Sequence, residues 1–159
     1  MKKEVRDEIR VAMGSTAVAG GLIGITGSDL PIVAGAWGRM MYKIAKAHDV
    51  KLDLQTCVNT SAAILASLAS YKLSCTLLII GLGAVVTVVS GGLLLPVAIG
   101  MSALANALVT YRLGKLFDEM YGSKNCKKAI KSLGRQALTS LFIVPSPNEF
   151  KEFWNDYNG

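Results

Sequence analysis

The sequence predicts an all-α, membrane-embedded domain: apolar helical hairpins, then an amphipathic basic helix and a short aromatic helix. Three observations carry this expectation. The stretch Leu73–Tyr111 contains no charged residue and is roughly twice the ~18 apolar residues that one membrane span needs. Gly91, Gly92 and Pro96 lie inside it, where a turn between two apolar segments fits. The chain is 52% hydrophobic and 18% charged, with 16 glycines, against ~45–50% and ~25% for ordinary globular domains.

The first element begins with mixed charges at helical spacing. Lys3 precedes Asp7 by one turn, and Val5, Ile9 and Met13 share a face. These residues read as the solvated start of a helix that continues into the uncharged run Val11–Ser28. The acids Glu4, Asp7 and Glu8 among the bases, with no A-x-A site after the run, argue against a signal peptide. Gly20 and Gly24 form a G-x-x-x-G pair, and Ala17 with Gly21 forms a second small pair. Small residues let helix backbones approach closely in lipid, so these four are the expected helix-packing positions.

Gly27-Ser28-Asp29-Leu30-Pro31 reads as a stop and restart, with Asp29 as N-cap and Pro31 in the first turn. The helix from about Leu30 to His48 has a basic stripe (Arg39, Lys43, Lys46) and an apolar one (Leu30, Val33, Trp37, Met41, Ile44). Each cation would cost ~2.5–3.5 kcal/mol at mid-bilayer, so an interfacial or bundle-surface position is expected. His48, the sole histidine, stands at the C-terminus of this helix beside Asp49, where a cap or a solvated cation is favoured.

The next helix starts after Asp53 and runs uncharged from Leu54 to Tyr71. Thr56, Thr60, Ala63, Ser67, Ser70 and Ser74 recur along it at spacings of four and three. Beyond the opening stretch Ser102, Asn106 and Thr110 repeat every four residues on a helix expected from about Pro96 to Tyr121. Such a seam has two readings. It is interhelical packing with weak hydrogen bonds, or, together with Lys72, it lines a water-filled path.

Lys124, Lys127, Lys128, Lys131 and Arg135 form a basic face between Ser123 and Leu141, opposite Cys126, Ile130, Leu133, Ala137 and Leu141. The basic face suits anionic lipid headgroups or an acidic partner. Nucleic acid is not expected, because no aromatics interleave with the bases. Ser146-Pro147-Asn148-Glu149 is a capping box with proline at the first helical position. It opens an aromatic face of Phe150, Phe153, Trp154 and Tyr157, expected to dock on its own chain.

The expected domains are a membrane-embedded helical domain over residues 1–121, with hairpins at Val11–His48 and Leu54–Tyr121, and a basic amphipathic region over 122–159 packed on it. Lys and Arg at both chain ends, within a formal net charge of +6, place both termini on the cytoplasmic side of a bacterial inner membrane or its equivalent.

Motifs for chemistry are missing. There is no phosphate loop and no G-x-G-x-x-G after a strand. Cys57, Cys75 and Cys126 have no metal-ligand spacing. Asp118 and Glu119 are neighbours, hence about 100° apart on a helix, and read as a solvated helix end. No catalytic, cofactor or metal site is expected, and the chain is not expected to be an enzyme.

Two stretches resemble the YcjF-like family of bacterial membrane domains. One is Gly24-Ile25-Thr26-Gly27-Ser28-Asp29-Leu30 followed by Arg39-Met40-Met41, Ile44 and Ala45. The other is Thr110 with Leu113-Gly114-Lys115-Leu116-Phe117 and Tyr121. The sequence departs from the family at Thr26, where proline is frequent, and in the run Ala84–Pro96. The resemblance implies a helical membrane module whose partner is a P-loop GTPase. It carries over no functional residue.

The resulting expectation is a non-catalytic integral membrane module, in contact with membrane lipids, that anchors or assembles a complex as a homo-oligomer. An oligomeric pore using the hydroxyl seam is the second reading. The third is a soluble helical domain with a very apolar, glycine-rich core.

Overall fold

Val5, Ile9, Ala12, Met13, Thr16 and Ala19 follow one another at the three-and-four spacing of one helix face, and this is the face that the first helix buries. The computed structural model of the chain describes residues 1–22, 30–67, 95–123, 141 and 146–158. Within them the helices are α1 (Lys3–Leu22), α2 (Leu30–Ala47), α3 (residues 54–67), α4 (Leu95–Gly122) and α5 (Pro147–Asn158). No strand occurs among the described residues.

Three of these helices make the centre. α1 runs antiparallel to α4: Ile9 lies over Gly114, and Thr16 lies beside Thr110. α2 runs alongside α4 in the same direction, since Trp37 reaches Thr110 and His48 reaches Asp118. The α1 start and α2 end are tied by the Lys2 ammonium, which donates to the Ala47 carbonyl, and by Lys43 and Glu8 at 3.6 Å. Val33, Trp37, Met40, Met41 and Ile44 of α2 meet Ala107, Tyr111, Leu113 and Phe117 of α4 in one apolar cluster. The basic stripe of α2 faces away from it.

The ends of α2 and α3 are set by local chemistry. The Val50 amide donates to Ala45 and the Asp49 amide to Lys46, the paired bonds of a Schellman termination. Asp49 takes the left-handed position with φ 58°, which short Asp tolerates better than most residues. Asp53 then caps α3, accepting the Thr56 amide at 2.8 Å and the Thr56 hydroxyl at 2.6 Å. The Thr56 hydroxyl above all, then its amide, holds the Asp53 carboxyl below its ordinary value.

α3 packs its Cys57, Ser61, Ile64 and Leu65 face inward and meets α2 at Gly38. A Cβ at Gly38 would stand 2.7 Å from Cα of Val58, a backbone atom that cannot rotate away. Gly38→Ala is therefore expected to cost about 1–3 kcal/mol by overpacking, measured as a lower denaturant midpoint. At Gly35, where nothing lies within 4 Å, the same change should gain up to ~1 kcal/mol from helix propensity.

These helices correct the membrane expectation. Among the described residues no helix is long and apolar enough to cross a membrane. α1 carries charge over Lys3–Arg10 and α2 at Arg39, Lys43 and Lys46, and each buries one face against a neighbour. α4 receives the end of the uncharged stretch, but its Ala107, Thr110 and Tyr111 are covered by protein, and Arg112, Lys115, Asp118 and Glu119 follow. Over the described residues this finding overturns the expected membrane-embedded hairpins, and with them the membrane location and the pore that they carried. It favours the third reading, a helical domain whose apolar faces pack on one another. Residues 68–94, the greater part of the opening stretch, lie outside the described residues.

Candidate functional site

α5 carries Glu149, Glu152 and Asp156 on one side, with Phe153 one turn after Glu149. The opposite side is basic and comes from two helices: Arg6 and Arg10 of α1, and Arg112 and Lys115 of α4. α5 begins at a realised N-cap, the Ser146 hydroxyl accepting the Glu149 amide at 3.2 Å. The Glu149 carboxylate in turn meets the Ser146 backbone amide, the reciprocal contact of the capping box. It also meets Arg112, whose Nε and Nη2 donate to its two oxygens at 2.6 and 2.9 Å. Nη1 of the same guanidinium donates to the Leu141 carbonyl at 2.9 Å.

The other contacts continue along the helix. Lys115 Nζ donates to Glu152 at 2.8 Å and lies 5.5 Å from the Tyr111 ring centre. The Tyr111 hydroxyl donates to Asp156 at 3.0 Å. Arg6 stands 3.5 Å from the Asp156 carboxylate, while Arg10 Nε donates to its backbone carbonyl at 2.8 Å. Phe153 is the apolar anchor, 1% exposed, with its ring edge-on to Tyr111 at 5.6 Å. Bidentate guanidinium–carboxylate geometry is the strongest of these polar contacts.

Two ionisation shifts follow. Hydrogen bonds from Arg112 hold the Glu149 carboxyl below its ordinary value. Burial first, then donation to Asp156, pushes the Tyr111 hydroxyl up. A carboxyl lowered by folding stabilises the docked helix above its unfolded pKa of ~4.3, and that contribution disappears as pH falls through the folded value. Acid titration should therefore loosen α5 below about pH 4, seen as a change in Trp154 fluorescence that is missing in Glu149→Gln.

A second polar group locks the centre of the bundle. Thr110 donates to the Asn106 carbonyl at 2.8 Å and accepts the Trp37 indole N–H at 2.9 Å. Its other lone pair faces the Thr16 hydroxyl at 2.8 Å, which also lies 3.0 Å from the Ala12 carbonyl. One buried hydroxyl thus joins three helices. Near the far end, His48 Nε2 and Asp118 Oδ1 are 2.7 Å apart, both largely covered.

The remaining concavity between α1, α4 and α5 is a cleft of about 550 Å³ whose walls include Arg6, Lys115, Asp118, Glu119, Glu152 and Asp156. Arg6, Lys115 and Asp118 in its walls are paired across helices with Asp156, Glu152 and His48, and it brings no nucleophile against a base. Among the described residues no three His, Cys, Asp or Glu side chains converge as metal ligands.

The expected positions are distributed differently. Thr110 enters the core lock. Thr56, Thr60, Ala63 and Ser67 do not lie on the inward face of α3. Thr56 binds the Asp53 cap, whereas Thr60 and Ser67 donate to their own helix at Thr56 and Ile64. Asn106 is half-buried on α4, and the backbone of Ser102 belongs to the same helix. Ala17 packs at the core edge, and Gly20 and Gly21 fall in the last turn of α1. Gly24, Ser70, Lys72, Ser74, Lys124, Lys127, Lys128, Lys131 and Arg135 lie outside the described residues.

The residues missed at first are Arg6, Arg10, Tyr111 and Arg112. The one trace of them in the sequence is that Glu149, Glu152 and Asp156 share a helix side with Phe153, which does not say where the matching cations lie. Close helix contact is found at Gly38 and Gly114.

Fold and site together define an all-α bundle with a C-terminal helix held on it by charge and one aromatic anchor. No family model matches this chain, and no curated protein or solved structure matches it either.

Proposed function

We propose that this chain is a non-catalytic helical interaction module whose contact surface includes the outer side of α5. The observation that carries this reading is an aromatic strip. Phe150, Trp154 and Tyr157 are 37%, 50% and 37% exposed, and neighbouring rings stack at 6.3 and 6.4 Å. Aromatic side chains of this kind supply large, rigid contact area at partner surfaces. The polar residues Thr16, Thr110, Arg112 and Lys115, in contrast, are engaged in joining helix to helix.

Paired Trp154→Ala and Tyr157→Ala substitutions test this in native extracts. Since both residues are exposed, the thermal midpoint should stay within about 2 °C, an exposed change being worth ~0.5 kcal/mol or less. On gel filtration the wild-type protein should migrate in a complex larger than its own 16.9 kDa chain, and the double variant should migrate at the mass of the single chain. Wild-type migration at that mass would overturn the proposal.

A further inference from the structure

Beneath α5 lies a surface whose chemistry is defined without reference to what covers it. Arg6 and Arg10 from α1, with Arg112 and Lys115 from α4, surround Tyr111. Asp7 lies 3.9 Å from Arg10 and Asp118 and Glu119 stand at the cleft edge, but uncovered, the floor around the Tyr111 ring presents four basic side chains, a field that attracts acidic groups. The occupant supplies the complement: acids at i, i+3 and i+7 and a phenylalanine at i+4, in Glu149, Glu152, Asp156 and Phe153. Helix-in-groove recognition uses this kind of spacing.

The way α5 is held suits exchange. Several of its ionic partners remain partly in solvent: Arg6 is 48% exposed, Lys115 35% and Glu152 55%. Such pairs contribute little individually and are screened by salt. One aromatic anchor, one guanidinium fork and the two part-buried hydrogen bonds at Asp156 hold the helix, helped by its tether. A tethered segment benefits from high effective concentration and needs only modest intrinsic affinity.

We infer that the α1–α4 groove is a docking site for an acidic amphipathic helix of a partner protein, carrying a phenylalanine between its acidic positions, and that α5 occupies it in cis until displaced. The inference rests on the interaction-module reading but uses the inner face of α5, opposite the aromatic strip.

The test uses a fluorescent peptide with the sequence of residues 146–158 and two full-length chains. One chain is wild type; the other carries Glu149→Gln, Glu152→Gln and Asp156→Asn, which strip the charges from its own α5. The peptide should bind the neutralised chain roughly tenfold more tightly than wild type, a difference of one decade in Kd. Binding should weaken in high salt and vanish for a Phe153→Ala peptide.

If the triple variant fails to fold by circular dichroism, Glu152→Gln alone should give the same ranking with a shift of about threefold, a fraction of that decade. Equal affinity for both chains, binding to neither, or undiminished binding of the Phe153→Ala peptide would overturn the inference. Trp154→Ala with Tyr157→Ala in the chain should leave peptide binding unchanged. Failure here therefore leaves the outer-strip proposal standing, and a single-chain mass in extracts leaves the groove standing.

Discussion

Phe153→Ala is expected to free α5 while the α1–α2–α4 centre stays folded. Deleting a buried phenylalanine side chain costs about 3–5 kcal/mol where the surroundings cannot collapse. Phe153 is 1% exposed and packs edge-on against Tyr111. The measured loss is capped by the docking energy of α5, because once the helix leaves there is no further contact to lose. The result should be two unfolding steps in denaturant instead of one. The first is followed by Trp154, on α5, and the second by Trp37, in the core. A single transition shifted to lower denaturant would mean that α5 is an inseparable part of the bundle.

Thr110→Val should produce the second largest effect, and it acts at the centre. Valine keeps the shape but removes the acceptor for Trp37, whose side chain is otherwise enclosed. An orphaned buried donor costs about 1–3 kcal/mol. Thr16 is less affected, since the Ala12 carbonyl remains within 3.0 Å. Ser61→Ala supplies the opposite sign from the same chemistry. The Ser61 hydroxyl is fully buried and has no hydrogen-bond partner among the described residues. Removing it should be neutral or gain up to ~1 kcal/mol. Equilibrium denaturation of the two variants under one condition reads both signs.

Much of the local structure was legible. The Val5-Ile9-Met13 face, the two stripes of α2, the Asp53 start of α3 and the Ser146 cap of α5 each follow from spacing and capping chemistry. Each has its physical counterpart in the fold. What misled was burial. Protein interior and bilayer both select uncharged, apolar residues, so Ala107 to Tyr111 read as part of a lipid-facing run when their cover is α1 and α2. Hydroxyl periodicity alone does not separate two roles: Thr56 donates to the Asp53 cap at the surface, whereas Thr110 joins three helices in the core, as the interhelical reading of the seam expects.

The aromatic face of α5 shows a further limit. Four rings at helical spacing were expected to dock together, and only Phe153 is buried. Which ring turns inward depends on where the acids of the same helix find cations, and those cations are more than 30 residues away, at Arg112 and Lys115, and nearer the N-terminus at Arg6 and Arg10. Tertiary pairing of this range has no local signature.

The central claim is that α5 is a separately held helix on an α1–α2–α4 core. Hydrogen–deuterium exchange on the intact chain at neutral pH tests it most directly. Amides in α1, α2 and α4 around Thr16, Trp37 and Thr110 should exchange slowly and together, whereas those of residues 150–158 should exchange faster, and faster again in high salt. Exchange of α5 in step with the core, unmoved by salt, would contradict it.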